Sequence, residues 1–222
     1  TAVWKKTTLV PGITWYQANI EGLFSSRQEI NFVEIDLKKH RKRIALAALR
    51  NELHKTSVLA NERNAVIAIN GGFFNMKAGG AVDYLKVDKH IYFDSISKAG
   101  RADAFFAFDK NRTILTRDTN IVNEFDNVIQ AGPYLVANNK ILPLANNAFN
   151  DNRHPRTAIG IKGNKLVLLT VDGRNTKAQG MSLLELSQLF KLIGCSEAMN
   201  LDGGGSTTLY LHTPYRQGVV NY

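Results

Sequence analysis

The chain has 222 residues, enough for one large domain with a sizeable core, and its 44% hydrophobic and 21% charged residues exclude a disordered or fibrous protein. No apolar run approaches the roughly 18 residues that a membrane span needs. The net charge of +9 favours an acidic partner, but the densest basic cluster, Lys38-Lys39-His40-Arg41-Lys42-Arg43, has no interleaved aromatic for base stacking; it reads as a solvated turn between strands, and no nucleic acid is expected.

Residues 30–37 read as a half-buried strand with Val33, Ile35 and Leu37 on one face. Over residues 43–55 helix formers compete with the alternation of Ile44, Leu46 and Ala48, which favours a strand to about Arg50. Thr56 is placed to cap a short helix over 57–62, and a buried strand over 65–69 closes on Asn70-Gly71-Gly72. Short strands at 85–87, 91–93, 104–108 and 113–115, separated by turn residues, have the spacing of antiparallel sheet. Alternation sends Phe105, Phe106 and Phe108 into the core.

Gln130-Ala131-Gly132-Pro133 turns into a further strand, and Asn138-Asn139 forms a hairpin tip before residues 140–144. Residues 146–153 form a polar loop without periodicity that ends in His154-Pro155-Arg156-Thr157 and feeds a strand at 158–161. Gly163-Asn164 is a hairpin turn, after which an apolar strand over 165–171 ends on Asp172-Gly173-Arg174. Ser182 and Glu185 make a capping box with Met181 stapling on Leu186; Leu183, Leu186, Leu189, Phe190 and Ile193 give a helical stripe that stops at Gly194. Cys195 stands alone as small buried filler, so neither an internal disulfide nor a multi-cysteine metal site is expected. With no repeat or linker, the whole of residues 1–222 is expected to form a single α+β domain, a mixed, mostly antiparallel sheet packed with a few helices.

The chemistry gathers at strand ends. Met199-Asn200-Leu201-Asp202 runs into Gly203-Gly204-Gly205-Ser206-Thr207-Thr208, and three adjacent glycines carry an entropy cost that a close approach to the main chain would explain. Their N–H groups can cradle an anion. Ala68-Ile69-Asn70-Gly71-Gly72 echoes the pattern, with Asn70 falling on Asp202, so the two loops are expected to share a pocket. His154, Arg156, Asp172 and Arg174 complete the set. Paired carboxylates suit glycosidic cleavage, guanidiniums suit phosphate, and the amides of Asn70 and Asn200 suit sugar hydroxyls. Asp172-Gly173 also reads as a plain turn, and the five histidines have no ligand-like spacing. No cofactor and no metal is expected, although the carboxylates leave room for calcium or magnesium.

Together, Asn70-Gly71-Gly72-Phe73-Phe74, Gln130-Ala131-Gly132-Pro133, His154-Pro155-Arg156-Thr157-Ala158-Ile159-Gly160, Thr170-Val171-Asp172-Gly173-Arg174 and the run from Asn200 to Thr208 resemble the phosphodiester glycosidase family, in order over about residues 31–222. The resemblance implies hydrolysis of the bond between a sugar's anomeric carbon and the phosphate of a phosphodiester, with N-acetylglucosamine the sugar of the animal enzyme. It implies a bacterial-type, extracytoplasmic member linked to envelope or exopolysaccharide metabolism, whose partner is a phosphate-bearing carbohydrate. Arg156 and Arg174 would bind the phosphate, and Asp202 or Asp172 would assist water or attack C1. Asn70, Gly71, Gly72, His154, Asn200, Gly203, Gly204, Gly205, Ser206 and Thr207 would hold the substrate. The start Thr1-Ala2-Val3 does not read as a secretory signal, and the family often continues past the point corresponding to Tyr222 into a closing strand. Competing expectations are a phosphodiesterase that cleaves phosphorus–oxygen and a non-catalytic module for anionic polysaccharide.

Overall fold

A computed structural model describes residues 3–98, 100–214 and 216–221, so the expectations that concern Thr1, Ala2 and Tyr222 lie outside the described residues. The strands in order are β1 (Lys5–Val10), β2 (Ile13–Leu23), β3 (Ser26–Asp36), β4 (Ile67–Ile69), β5 (Leu85–Val87), β6 (His90–Phe93), β7 (Ala104–Phe108) and β8 (Thr113–Thr116). They continue with β9 (Asn127–Ala131), β10 (Tyr134–Ala137), β11 (Lys140–Ile141), β12 (Arg156–Lys162), β13 (Lys165–Val171), β14 (Glu197–Asn200), β15 (Leu209–Thr213) and β16 (Arg216–Val219). The α-helices are α1 (Leu37–His40), α2 (Thr56–Glu62), α3 (Ala148–Asp151) and α4 (Leu183–Ile193).

Eight strands form the main sheet in the order β1-β2-β3-β13-β12-β14-β10-β11; β16-β15-β4 and β6-β5-β9-β7-β8 form two smaller sheets. Neighbouring strands pair antiparallel throughout the main sheet. The domain is therefore α+β with short helices on antiparallel sheets, as the spacing of its strands requires. One face of the main sheet packs on both smaller sheets through Val33, Ile159, Met199, Phe106, Phe108 and Leu209. The other face carries Phe32, Leu169 and Ala198 against the apolar stripe of α4. Alternation along β7 puts Phe105 on the opposite side, in a third cluster with Phe125 and Val128.

Helix α4 forms as its sequence dictates. Ser182 accepts from the Glu185 N–H while the Glu185 side chain accepts from the Ser182 N–H, and Gly194 closes the helix at φ 94°. Leu183, Leu186, Leu189 and Phe190 are buried beneath it, each worth roughly 1.5–3 kcal/mol of transfer free energy. The helix can press on the sheet because β12 offers a glycine: a Cβ at Gly160 would lie 2.8 Å from the Phe190 ring and 3.0 Å from Cys195 Sγ.

Four expectations are corrected. Residues 43–55 are not a strand; apart from the short 3-10 turn that ends at Arg43, they form a strap without ladder partners, and the alternating Ile44 and Leu46 pack on the edge of the core. The basic cluster is helix α1 and that 3-10 turn, with His40 Nε2 hydrogen-bonded to the Pro11 carbonyl at 2.9 Å, not a turn between two strands. The loop over 146–153 contains α3, capped by Asn147 accepting from the Asn150 N–H. Thr56 itself is helical, with Lys55 at the cap position.

Candidate active site

Antiparallel registry explains why distant motifs meet. Arg156 at the start of β12 faces Val171 at the end of β13, and Ala158 faces Asn200 at the end of β14. Asp172 and the loop from Asp202 therefore leave the sheet at one end, where Thr157 lies between them. Asn70 arrives from β4 and binds across: its Nδ2 donates to the Asp202 carbonyl at 2.8 Å, and its Oδ1 accepts from Thr157 Oγ1 at 2.6 Å and from the Thr208 N–H at 3.0 Å. The Asp202 N–H donates to the Gly71 carbonyl at 3.1 Å. Asn70 is thus a brace for the glycine-rich turn.

The three glycines have three different uses. At Gly203 a Cβ would fall 2.6 Å from the Pro155 carbonyl oxygen, so that main chain stacks on main chain. Gly204 sits at φ +59° beneath the Arg174 guanidinium, whose Nη1 is 3.3 Å from the Cβ position; Gly205 opens to space. Beneath them, a Cβ at Gly173 would meet Gly180 Cα at 2.8 Å and Pro155 N at 2.9 Å. The chain at Pro155 is clamped between two glycine contacts. Gly203→Ala is expected to cost about 1–3 kcal/mol in chemical denaturation, since backbone is the obstacle and cannot swing aside.

On the surface of this clamp, Arg174 Nη2 donates to His154 Nδ1 at 2.9 Å, which leaves the imidazole proton on Nε2. Burial, then the charges of Arg156 and Arg174, hold the His154 pKa below its ordinary value, so the ring is neutral at neutral pH. Arg174 is exposed and has a left-handed backbone, φ 59°. Asp202 is half-buried at the edge of the turn. Burial raises its pKa, opposed by the Ser206 hydroxyl, the Gly203 N–H and the charge of Arg101.

Arg156, Asp172 and Asn200 lie lower, at 2%, 2% and 1% exposure. Arg156 donates from Nε to the Met181 carbonyl at 2.8 Å and from Nη2 to the carbonyls of Phe149 at 2.8 Å and Asn152 at 2.9 Å, with its guanidinium 5.3 Å from the Phe149 ring centre. Burial and Arg174 lower its pKa to about 10, and it stays charged at neutral pH. It binds three carbonyls of its own chain where the sequence suggested phosphate. Asn200 Nδ2 donates to the carbonyls of Gly132 at 2.8 Å and Leu201 at 2.6 Å, so this side of the amide holds loops together. Thr207 is buried below the turn, and Ser206 and Gly205 stay at its rim.

A cleft of about 1230 Å³ opens beside the turn, between the 43–55 strap and the sheets, with Asn70, Gly72, Asp202, Ser206 and Thr208 in its wall. One wall residue and one neighbour of the wall left no motif. Asp83 lines the cleft at 4% exposure, and Arg101 lies over the Phe73 ring at 4.7 Å. The only trace of Asp83 in the sequence is a lone acid within the apolar run Ala81-Val82-Asp83-Tyr84-Leu85; Arg101 leaves none. The Gln130 motif holds this corner: Gln130 Nε2 donates to the carbonyls of Ser97 at 2.8 Å and Ala102 at 2.7 Å, while Oε1 accepts from the N–H groups of Tyr84 and Ser97. Among the described residues no group of three or more histidine, cysteine or acidic side chains is arranged to hold a metal ion, and no helix is long and apolar enough to cross a membrane.

Comparison with known proteins agrees with this geometry. The chain is 30% identical over 169 residues to the SPbeta prophage-derived uncharacterized protein YomE of Bacillus subtilis, covering 71% of this chain and 26% of that protein. It is 28% identical over 167 residues to the mouse N-acetylglucosamine-1-phosphodiester alpha-N-acetylglucosaminidase, covering 66% of this chain and 32% of the mouse protein. The chain thus spans about a quarter to a third of these relatives. The fold matches the catalytic domain of the zebrafish N-acetylglucosamine-1-phosphodiester alpha-N-acetylglucosaminidase, auto-inhibited by its pro-peptide, with TM-score 0.70, 22% identity, and coverage of 95% of this chain and 78% of that one. It also matches a putative exported protein of Burkholderia pseudomallei with TM-score 0.67, 15% identity, and coverage of 88% and 70%. The family model for phosphodiester glycosidase matches residues 63–222, and the chain belongs to that family.

Proposed function

We propose that the protein hydrolyses the bond between C1 of an N-acetylglucosamine-like sugar and the phosphate of a sugar 1-phosphodiester, outside the cytoplasm, on phosphate-bearing carbohydrate of a bacterial envelope or exopolysaccharide. The observation that carries this reading is the pairing of an exposed guanidinium with a half-buried carboxylate on one glycine-rich turn: Arg174 over Gly204, and Asp202 two residues before it. Arg174, with neutral His154 beside it, holds the phosphate and stabilises the charge that leaves with it. Asp202 faces the positive charge that develops at C1. A phosphomonoester departs as an anion and needs little protonation, so the site requires a cationic cradle more than an acid. The fixed charge of +9 concentrates polyanionic substrate around the protein.

The test is hydrolysis of a synthetic N-acetylglucosamine 1-(methyl phosphate) in ¹⁸O-labelled water. Label in the sugar is expected; label in the phosphate marks phosphorus–oxygen cleavage and overturns the reading, as does binding without any product. Arg174→Ala should raise KM by about 10- to 100-fold, in line with roughly 1.5–3 kcal/mol for a hydrogen bond to a charged group.

A further inference from the structure

Asp83 sits where Val82 N–H donates to the Phe73 carbonyl at 3.3 Å and the Tyr84 carbonyl accepts from Gln130 N–H at 2.9 Å, one strand width from Gly72. Its carboxyl accepts a hydrogen bond from the Ser97 side chain, while Oδ2 is fully buried and has no partner among the described residues. A buried acid with an unanswered oxygen is costly to maintain without use. Asp202 is tied to the same wall through the Gly71 carbonyl, and both carboxylates line one cleft. Arg101 stacks on the Phe73 ring at 4.7 Å, and its charge opposes the burial that raises the pKa of Asp83 and of Asp202. Asp172, the second carboxylate that the sequence suggested, is not in the cleft wall.

We propose that Asp83 is the general base of this site, taking the proton of the attacking water. The proposal rests on the glycosidase reading above. In the step, the water oxygen bonds to C1, the C1–O bond to phosphate breaks with its electron pair leaving on the phosphate oxygen, and the water proton passes to the Asp83 carboxylate. Net burial raises the Asp83 pKa over the pull of Ser97 and Arg101, which brings it nearer to the range of an efficient base.

The experiment reads activity and its chemical rescue. Asp83→Ala is expected to lose about 10²–10⁴-fold in hydrolysis of the sugar 1-phosphodiester, the usual worth of a positioned base. Added azide, a nucleophile with no proton to lose, should restore turnover and yield the glycosyl azide. Full hydrolysis by Asp83→Ala, or a loss in folded protein that azide does not restore, overturns the assignment. Asp83→Asn, which keeps the shape, guards against loss by misfolding. An inactive wild-type chain would instead defeat the glycosidase reading.

Discussion

Asp202→Asn is expected to lower kcat on a sugar 1-phosphodiester by about 10²–10⁴-fold while raising thermal stability at neutral pH. The two effects have one cause. Burial lifts the Asp202 pKa above its ordinary 3.8, so the folded state prefers the protonated carboxyl and the unfolded state the ionised one. Stability from this group is complete below the unfolded value and is lost as pH rises through the folded value. At pH 7 the native protein therefore holds an ionised carboxylate against its preference, and a neutral amide of the same shape relieves it. Melting temperatures of the two proteins should diverge from about pH 4 upward and coincide below. Equal turnover would remove Asp202 from the reaction, and an asparagine variant less stable at every pH would overturn the burial argument.

How much of this was legible follows from what kind of signal each residue leaves. Asn70, Asp172 and Asp202 close apolar runs just before glycines, and such strand ends can be read because alternation stops and backbone freedom begins. Helix α4 was legible to its caps, since the Ser182–Glu185 box and Gly194 act through local hydrogen bonds. The strap over 43–55 deceived because Ile44, Leu46 and Ala48 alternate as in a strand, yet pairing is a long-range property that alternation does not carry. Asn147 capped a helix too short to show periodicity. Asp83 in the cleft wall and Arg101 over the Phe73 ring are placed by contacts across sequence-distant loops, so nothing in their neighbours announces them. The depth of Arg156 is also tertiary: a guanidinium at a strand start reads as a ligand until three carbonyls from neighbouring loops converge on it.

That convergence makes Arg156 the sharpest test of which charges touch substrate. Arg156→Met should lower stability by about 2–4 kcal/mol, because truncation strips a charge-assisted donor from the Met181, Phe149 and Asn152 carbonyls around a guanidinium that is itself buried. For a chain of this size that corresponds to a fall in melting temperature of roughly 5–15 °C. Met181 carbonyl keeps a second partner in the His154 N–H at 3.3 Å, which limits the loss, while the carbonyls of Phe149 and Asn152 rely on the guanidinium. Methionine fills the same tunnel without bringing a charge, so the deficit measures the lost hydrogen bonds and not a cavity. Arg174→Ala makes the opposite pattern: an exposed side chain is removed, melting is unchanged within about 0.5 kcal/mol, and KM rises. If Arg156→Met instead melts like the wild type and raises KM as Arg174→Ala does, Arg156 reaches the phosphate and both arginines belong to the cradle.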